Sequence, residues 1–156
     1  MFDKSLLNNH IGRLVGLSSK FMRSKLGENF RSQGIELTSE QGIIMSLLVH
    51  HEGVNQQSMS EFLFTDKTAI TRWIDSLEKM GYVKRVPDKE DRRQNLIFLT
   101  DAGKSILITL KDSALQTEQD AVKGIDPEKL RTCKEVLKQL IKNLNNNIDV
   151  SEISIK

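Results

Sequence analysis

Residues 65–100 read TDKTAITRWIDSLEKMGYVKRVPDKEDRRQNLIFLT, and the pattern within them decides the fold. From about 66 to 80, Ile70, Ile74 and Leu77 fall at i, i+4 and i+7, the spacing of one buried helical face. Trp73 and Met80 flank that stripe, while Thr68, Thr71, Arg72 and Asp75 lie on another, solvent-directed face. Gly81 is placed to stop the helix. Residues 82–86 and 95–99 are rich enough in β-branched and aromatic side chains to read as two short strands. The loop between them, 87–94, is highly charged and longer than a two-residue hairpin needs.

Upstream, a third helix of this group is predicted to open at Val54-Asn55. Asn55 suits its cap, Val54 can staple onto Met59, and Met59, Phe62 and Leu63 give an apolar side. A tight break at 64–66 separates it from the next helix. Two short helices joined by such a break form the helix-turn-helix layout, whose second helix can enter a DNA major groove. Thr68 and Thr71 can hydrogen-bond bases or phosphates, and Arg72 can grip guanine or a phosphate. Lys67 and the loop-tip Arg92 and Arg93 complete the candidate DNA-binding set. An arginine on a projecting hairpin can enter a narrow minor groove. Asp91, beside them, is expected to hold a neighbouring guanidinium in position.

Further out, residues 4–32 carry Leu7, Ile11, Leu14, Val15, Leu17, Phe21, Met22, Leu26 and Phe30 at helical spacing, with Gly34 after them. Thr38 and Gln41 form a capping box ahead of Ile44, Leu47 and Leu48. Thr100 is expected to cap a fifth helix over about 101–122, with Ile106, Leu107, Leu110, Ala114 and Leu115 inside. Asp126-Pro127 starts a sixth, which carries a heptad-like stripe from Leu130 to Leu144 and ends near Asn145.

Composition narrows the function classes. The chain has 156 residues, enough for one compact domain, and no apolar run approaches the ~20 residues of a membrane span. The N-terminal residues do not read as a secretory signal, so a cytoplasmic location is expected. Net charge is only +2, but residues 67–93 hold eight basic side chains against five acidic. Cys133 stands alone and reads as a small buried helical residue; His50 and His51 read as solvated helix-end residues. No metal-ligand spacing, Gly-rich phosphate loop or acid/base pattern is present, so neither an enzyme nor a metal or cofactor is expected. The competing reading is a winged-helix module that binds protein instead of DNA.

Four stretches carry a resemblance: Asp66-Lys67-Thr68-Ala69-Ile70-Thr71-Arg72, Leu77-Glu78-Lys79-Met80-Gly81-Tyr82-Val83, Asp88-Lys89-Glu90-Asp91-Arg92-Arg93 and Leu99-Thr100-Asp101-Ala102-Gly103. Together they resemble the MarR family of bacterial transcription regulators, and Leu37-Thr38-Ser39-Glu40-Gln41 is similar to the start of that family's second helix. The resemblance implies a mainly α fold with a small β-hairpin (α+β), a winged helix-turn-helix over 36–100 and a helical dimerisation region over 1–34 and 101–147. It implies a homodimer on a near-palindromic double-stranded operator, and in many relatives release by a small aromatic or phenolic effector. It makes Asp91 and Arg93 the wing's paired signature, with Arg93 in the minor groove and Arg92 on a phosphate. Asp66 would cap the recognition helix or brace the wing. His10 and Arg13, on the first helix, are candidate effector ligands, with intersubunit or surface contacts as the ordinary alternative. The first helix lacks the cysteine used by the family's oxidant-sensing branch, which argues against peroxide sensing by that route.

Overall fold

A computed structural model describes residues 10–146, which fall into two compact units, one ending at Glu118 and the other starting at Gln119. Leu7 and the tail after 146 lie outside the described residues. The first unit contains α1 (Ile11–Ser32), α2 (Ser39–His50), β1 (Val54–Asn55), α3 (Gln56–Phe62), α4 (Lys67–Lys79), β2 (Val83–Pro87), β3 (Asn95–Leu99), α5 (Asp101–Ser105) and most of α6 (Leu107–Val122). The second holds the end of α6 and α7 (Pro127–Leu144).

Local chemistry explains where the elements of the first unit begin. Thr38 accepts from the Gln41 backbone at 3.2 Å, and the Gln41 side chain accepts from the Thr38 N–H at 2.8 Å. This reciprocal cap starts α2 as expected. Asn55 accepts from the Ser58 N–H at 2.8 Å and starts α3. Ile70, Ile74 and Leu77 of α4 are fully buried with Ile44, Met45 and Leu48 of α2, Met59 of α3 and Ile97 of β3. That cluster is the core from which α4 and the hairpin project.

The sheet has a third strand that the pattern of residues did not announce. Val54 pairs with Ile97 and Asn55 with Leu96, so the antiparallel order is β1-β3-β2. Two residues carry no alternation to read. Asn55 therefore serves both as a strand end and as a helix cap.

The exit from β3 is welded back onto α4 and β2. Thr100 caps α5 by accepting from the Gly103 N–H at 3.0 Å, while its hydroxyl donates to the Gly81 carbonyl at 2.5 Å. Its own N–H donates to the Tyr82 carbonyl at 3.0 Å. Gly103 presses so close to this turn that a Cβ would stand 2.1 Å from the Tyr82 oxygen. The Leu-Thr-Asp-Ala-Gly run is thus a packing requirement.

Three expectations change. The helix foreseen over 101–122 is two, broken at Ile106. Beside the break, the Ser105 hydroxyl donates to the Ala102 carbonyl at 2.7 Å. Ala114 and Leu115 are exposed; the buried positions of α6 are Leu110, Ser113 and Thr117, and Thr117 accepts from Asn29 of α1 at 2.9 Å. Cys133 is exposed, and α7 has no buried residue. Helical period identifies side chains that share a face, not what covers the face.

Phe64, in the turn before α4, has φ +49° and is 67% exposed. A bulky side chain in this left-handed region costs about 1–2 kcal/mol relative to glycine's freedom there. Phe64→Gly, which sacrifices little packing, is expected to raise stability by about 0.5–1 kcal/mol in urea unfolding. Gly103→Ala is expected to lower it by about 3 kcal/mol, because the clash is with backbone.

Candidate nucleic-acid interface

The second helix of the helix-turn-helix starts at Asp66, whose carboxylate oxygens accept from the Thr68 N–H at 3.1 and 3.2 Å. Asp66 is therefore a helix cap. The anchored face of α4 leaves Lys67, Thr68 and Arg72 exposed. Thr71 differs from the expectation of a free surface hydroxyl. It is half-buried, and its oxygen lies 2.9 Å from the Lys67 carbonyl and 3.1 Å from the Gln56 carboxamide oxygen. Its single proton serves one of these protein acceptors. Thr71 keeps its methyl and lone pairs for an outside partner.

Asp75 is also not free. Arg85 of β2 donates to it at 2.5 Å and forms a second ion pair with Glu78. The Arg85 N–H donates to Glu78 as well, at 3.2 Å. Val83 and Arg85 lie on the same face of β2, so the guanidinium turns toward α4. Burial alone would lower the Arg85 pKa. The bonds to Asp75 and then Glu78 outweigh it and raise the value, so the group is fixed as a cation. Two carboxylates one turn apart on α4 thus hold the wing strand to the recognition helix. The signal for this was legible in principle: a cation on the inward side of a strand, following two acids at helical i, i+3 spacing.

At the wing tip Asp91 does not hold a guanidinium. It accepts from the Arg93 N–H at 3.0 Å and from the Gln94 side chain at 2.9 Å. The short loop brings these main-chain and amide donors to the carboxylate, so it acts as a turn brace. Gln94 in turn accepts from the Asn55 side chain at 2.9 Å. Arg92 and Arg93 are exposed.

An open cleft of about 620 Å³ lies between the start of α3 and the wing base. Asn55, Gln56, Gln57, Ser58, Lys67, Arg85, Arg93, Gln94 and Asn95 line it. With Arg85 taken up by Asp75 and Glu78, the cations Lys67 and Arg93 and the amide side chains make a surface suited to phosphodiester oxygens. Lys67 and Arg93 meet there; Thr68, Arg72 and Arg92 do not border it. Asn55, Gln56, Arg85 and Gln94 were not among the residues singled out from sequence as contacts. His10 and Arg13 are exposed at the start of α1 and do not border the cleft. His50 and His51 are exposed, as their helix-end position suggested.

The helix-turn-helix of α3 and α4, flanked by the β2–β3 wing, defines a winged helix DNA-binding regulator of transcription. The MarR family model matches residues 37–94. The chain is 31% identical over 116 residues to the HTH-type transcriptional regulator SarZ of Staphylococcus haemolyticus, covering 74% of this chain and 78% of that protein. It is 24% identical over 139 residues to the HTH-type transcriptional regulator YybA of Bacillus subtilis, covering 89% and 91%. A MarR transcriptional regulator from Methanosarcina mazei superposes with TM-score 0.77 at 27% identity, over 88% of this chain and 98% of that one. A mutant MarR from E. coli complexed with operator DNA superposes with TM-score 0.78 at 23% identity, over 84% and 93%, and shares the fold. The chain belongs to the MarR family of transcription regulators and is not an enzyme. Among the described residues no helix is long and apolar enough to cross a membrane.

The Gln94 amide first, and the Arg93 N–H second, hold the Asp91 carboxyl below its ordinary value. A lowered folded pKa means that the brace is complete above the ordinary carboxylate range, about pH 4, and is lost as pH falls through the lowered value. The Arg93 amide proton shift is expected to stay constant from pH 7 to about 5. It should then titrate with a midpoint below that of an unstructured aspartate.

Proposed function

We propose that this regulator is a homodimeric repressor that binds a near-palindromic operator and leaves it when a small aromatic or phenolic molecule binds. The exposed polar side of α4 beside a cation-lined wing cleft is the observation that supports DNA reading most strongly. Lys67, Thr68 and Arg72 would face the major groove, with Thr71 adding its methyl against thymine. Arg93 would enter the minor groove and Arg92 would meet a phosphate. Asp66 and Asp91 would act by fixing backbone, one at the helix start and one in the wing. The half-sites would lie about 10 base pairs apart, as two-fold symmetry requires.

The dimer reading rests on α1. Ile11, Leu14, Phe21 and Met22 are 56, 48, 64 and 44% exposed on it. An apolar stripe of that length needs a cover in water. A second copy, using residues 1–34 and 101–147, would supply it. His10 and Arg13 on the same helix would then be placed to meet an effector, in a cytoplasmic protein. The alternative winged-helix protein-binding module would give no salt-sensitive duplex binding.

Genomic fragments selected by the purified protein would supply the operator. Arg93→Ala is expected to weaken operator binding by about 1–3 kcal/mol, or to reduce the salt slope by about one if the contact is a phosphate. Unchanged affinity and slope would remove the wing from the mechanism. Phe21→Glu is expected to shift the species in sedimentation from dimer to monomer and to abolish operator binding at nanomolar protein. A monomeric parent would contradict the dimer.

A further inference from the structure

The wing tip is tied to the helical part of the DNA-reading unit by a chain of three side chains. Asn55 uses both ends of its carboxamide. Its oxygen caps α3 through the Ser58 N–H at 2.8 Å, and its nitrogen donates to Gln94 at 2.9 Å. Gln94 also uses both ends, accepting from Asn55 and donating to Asp91 at 2.9 Å. The other Asp91 oxygen accepts from the Arg93 N–H at 3.0 Å. Two backbone bonds close the loop on itself, Asp88 N–H to the Gln94 carbonyl at 3.0 Å and Gln94 N–H to the Asp91 carbonyl at 2.9 Å. Among the described residues, Asn55 to Gln94 is the hydrogen bond that joins loop 88–94 to a residue outside the hairpin.

We infer that Asn55 and Gln94 are positioning residues for Arg93. Through Asp91 they set where the Arg93 backbone stands relative to α3 and α4, and hence where its guanidinium meets DNA. This rests on the reading of Arg93 as a DNA contact. The geometry carries it: a cap residue needs only an oxygen, so any of Ser, Asp or Asn would start α3 equally well. Only a carboxamide of this length also supplies the donor that reaches Gln94. Gln94 likewise uses its oxygen to accept from Asn55 while its nitrogen donates to the Asp91 carboxylate. The Arg85 clamp fixes β2 to α4 at the base of the wing. The Asn55–Gln94–Asp91 chain fixes the tip, so the hairpin is held at both ends.

The test is Asn55→Ser in the full chain. Serine keeps the cap and the neutral charge and loses only the reach to Gln94. The melting temperature should stay within a degree or two of the parent. In the free protein, hydrogen exchange of the Arg93 and Gln94 amides should quicken several-fold, while amides of α4 are unchanged. Operator affinity should fall by a few-fold to roughly tenfold, the scale of one hydrogen bond. That loss should vanish in an Arg93→Ala background. Gln94→Met should reproduce each result. Unchanged exchange at Arg93 and Gln94 would overturn the inference. So would an affinity loss of equal size in both backgrounds, because Asn55 would then touch DNA itself. If Arg93→Ala alone costs nothing, the reading of Arg93 fails, while the exchange rates still decide whether the chain holds the wing.

Discussion

The Arg85 guanidinium, gripped by Asp75 and Glu78, is the contact on which the reading surface depends. A hairpin of two five-residue strands joined by a seven-residue loop has little core of its own, and isolated hairpins are marginal in water. What makes this one a rigid probe is its attachment to α4. Ile97 and Leu99 of β3 and Val83 of β2 reach the shared core, and Arg85 adds a directional, charged link from the adjacent position. Apolar packing can slide; two ion pairs from a planar guanidinium fix an angle. The angle matters to the proposed DNA reading, in which α4 and the wing would meet two grooves of one duplex together.

The same logic runs outward from α4. Asp66 starts the helix, and the core under Ile70, Ile74 and Leu77 holds it. The Thr100 hydroxyl then bonds the Gly81 carbonyl where α4 hands over to β2. Gly103 lets the next helix start against that turn with no room to spare. Two short sequence signatures that look separate along the chain, 77–83 and 99–103, are therefore one junction in space. At the other end of α4, a strained Phe64 is accepted in the turn that precedes the helix.

Much of this was legible beforehand because it rests on local chemistry. The Thr38–Gln41 capping box, the Asn55 and Thr100 caps and the 70–74–77 stripe each depend on residues within a turn or two of one another, while the Asp66 cap was one of two roles that the family resemblance implied. The hairpin was legible from its two β-rich runs and charged loop, and the family resemblance added the pairing of Asp91 with Arg93 as the wing's signature. What escaped was long-range or two-sided. Arg85 counted only as positive charge until its partners ten and seven positions upstream were seen to face it. Asp91 invited a guanidinium partner because one is adjacent in sequence, yet the tight turn offered it amides. Two-residue β1 has no period, and the apolar pair Ile106-Leu107 gives no sign of the break between α5 and α6. The apolar stripes of α1 and α7 were read correctly as stripes, but a stripe does not name its cover. In α6 Leu110 is buried as expected, but the rest of the buried side is Ser113 and Thr117, not Ala114 and Leu115.

The central claim is that Arg85 serves DNA recognition by joining two readers, not by touching DNA. Operator affinity of Arg85→Gln, of the Asp75→Asn/Glu78→Gln protein and of the triple variant decides it. All three break the same clamp, so the account predicts losses of similar size that do not add in the triple. Additive losses would contradict it. So would an Asp75→Asn/Glu78→Gln protein that binds the operator as tightly as the parent or tighter, since the freed guanidinium would then be a DNA contact in its own right.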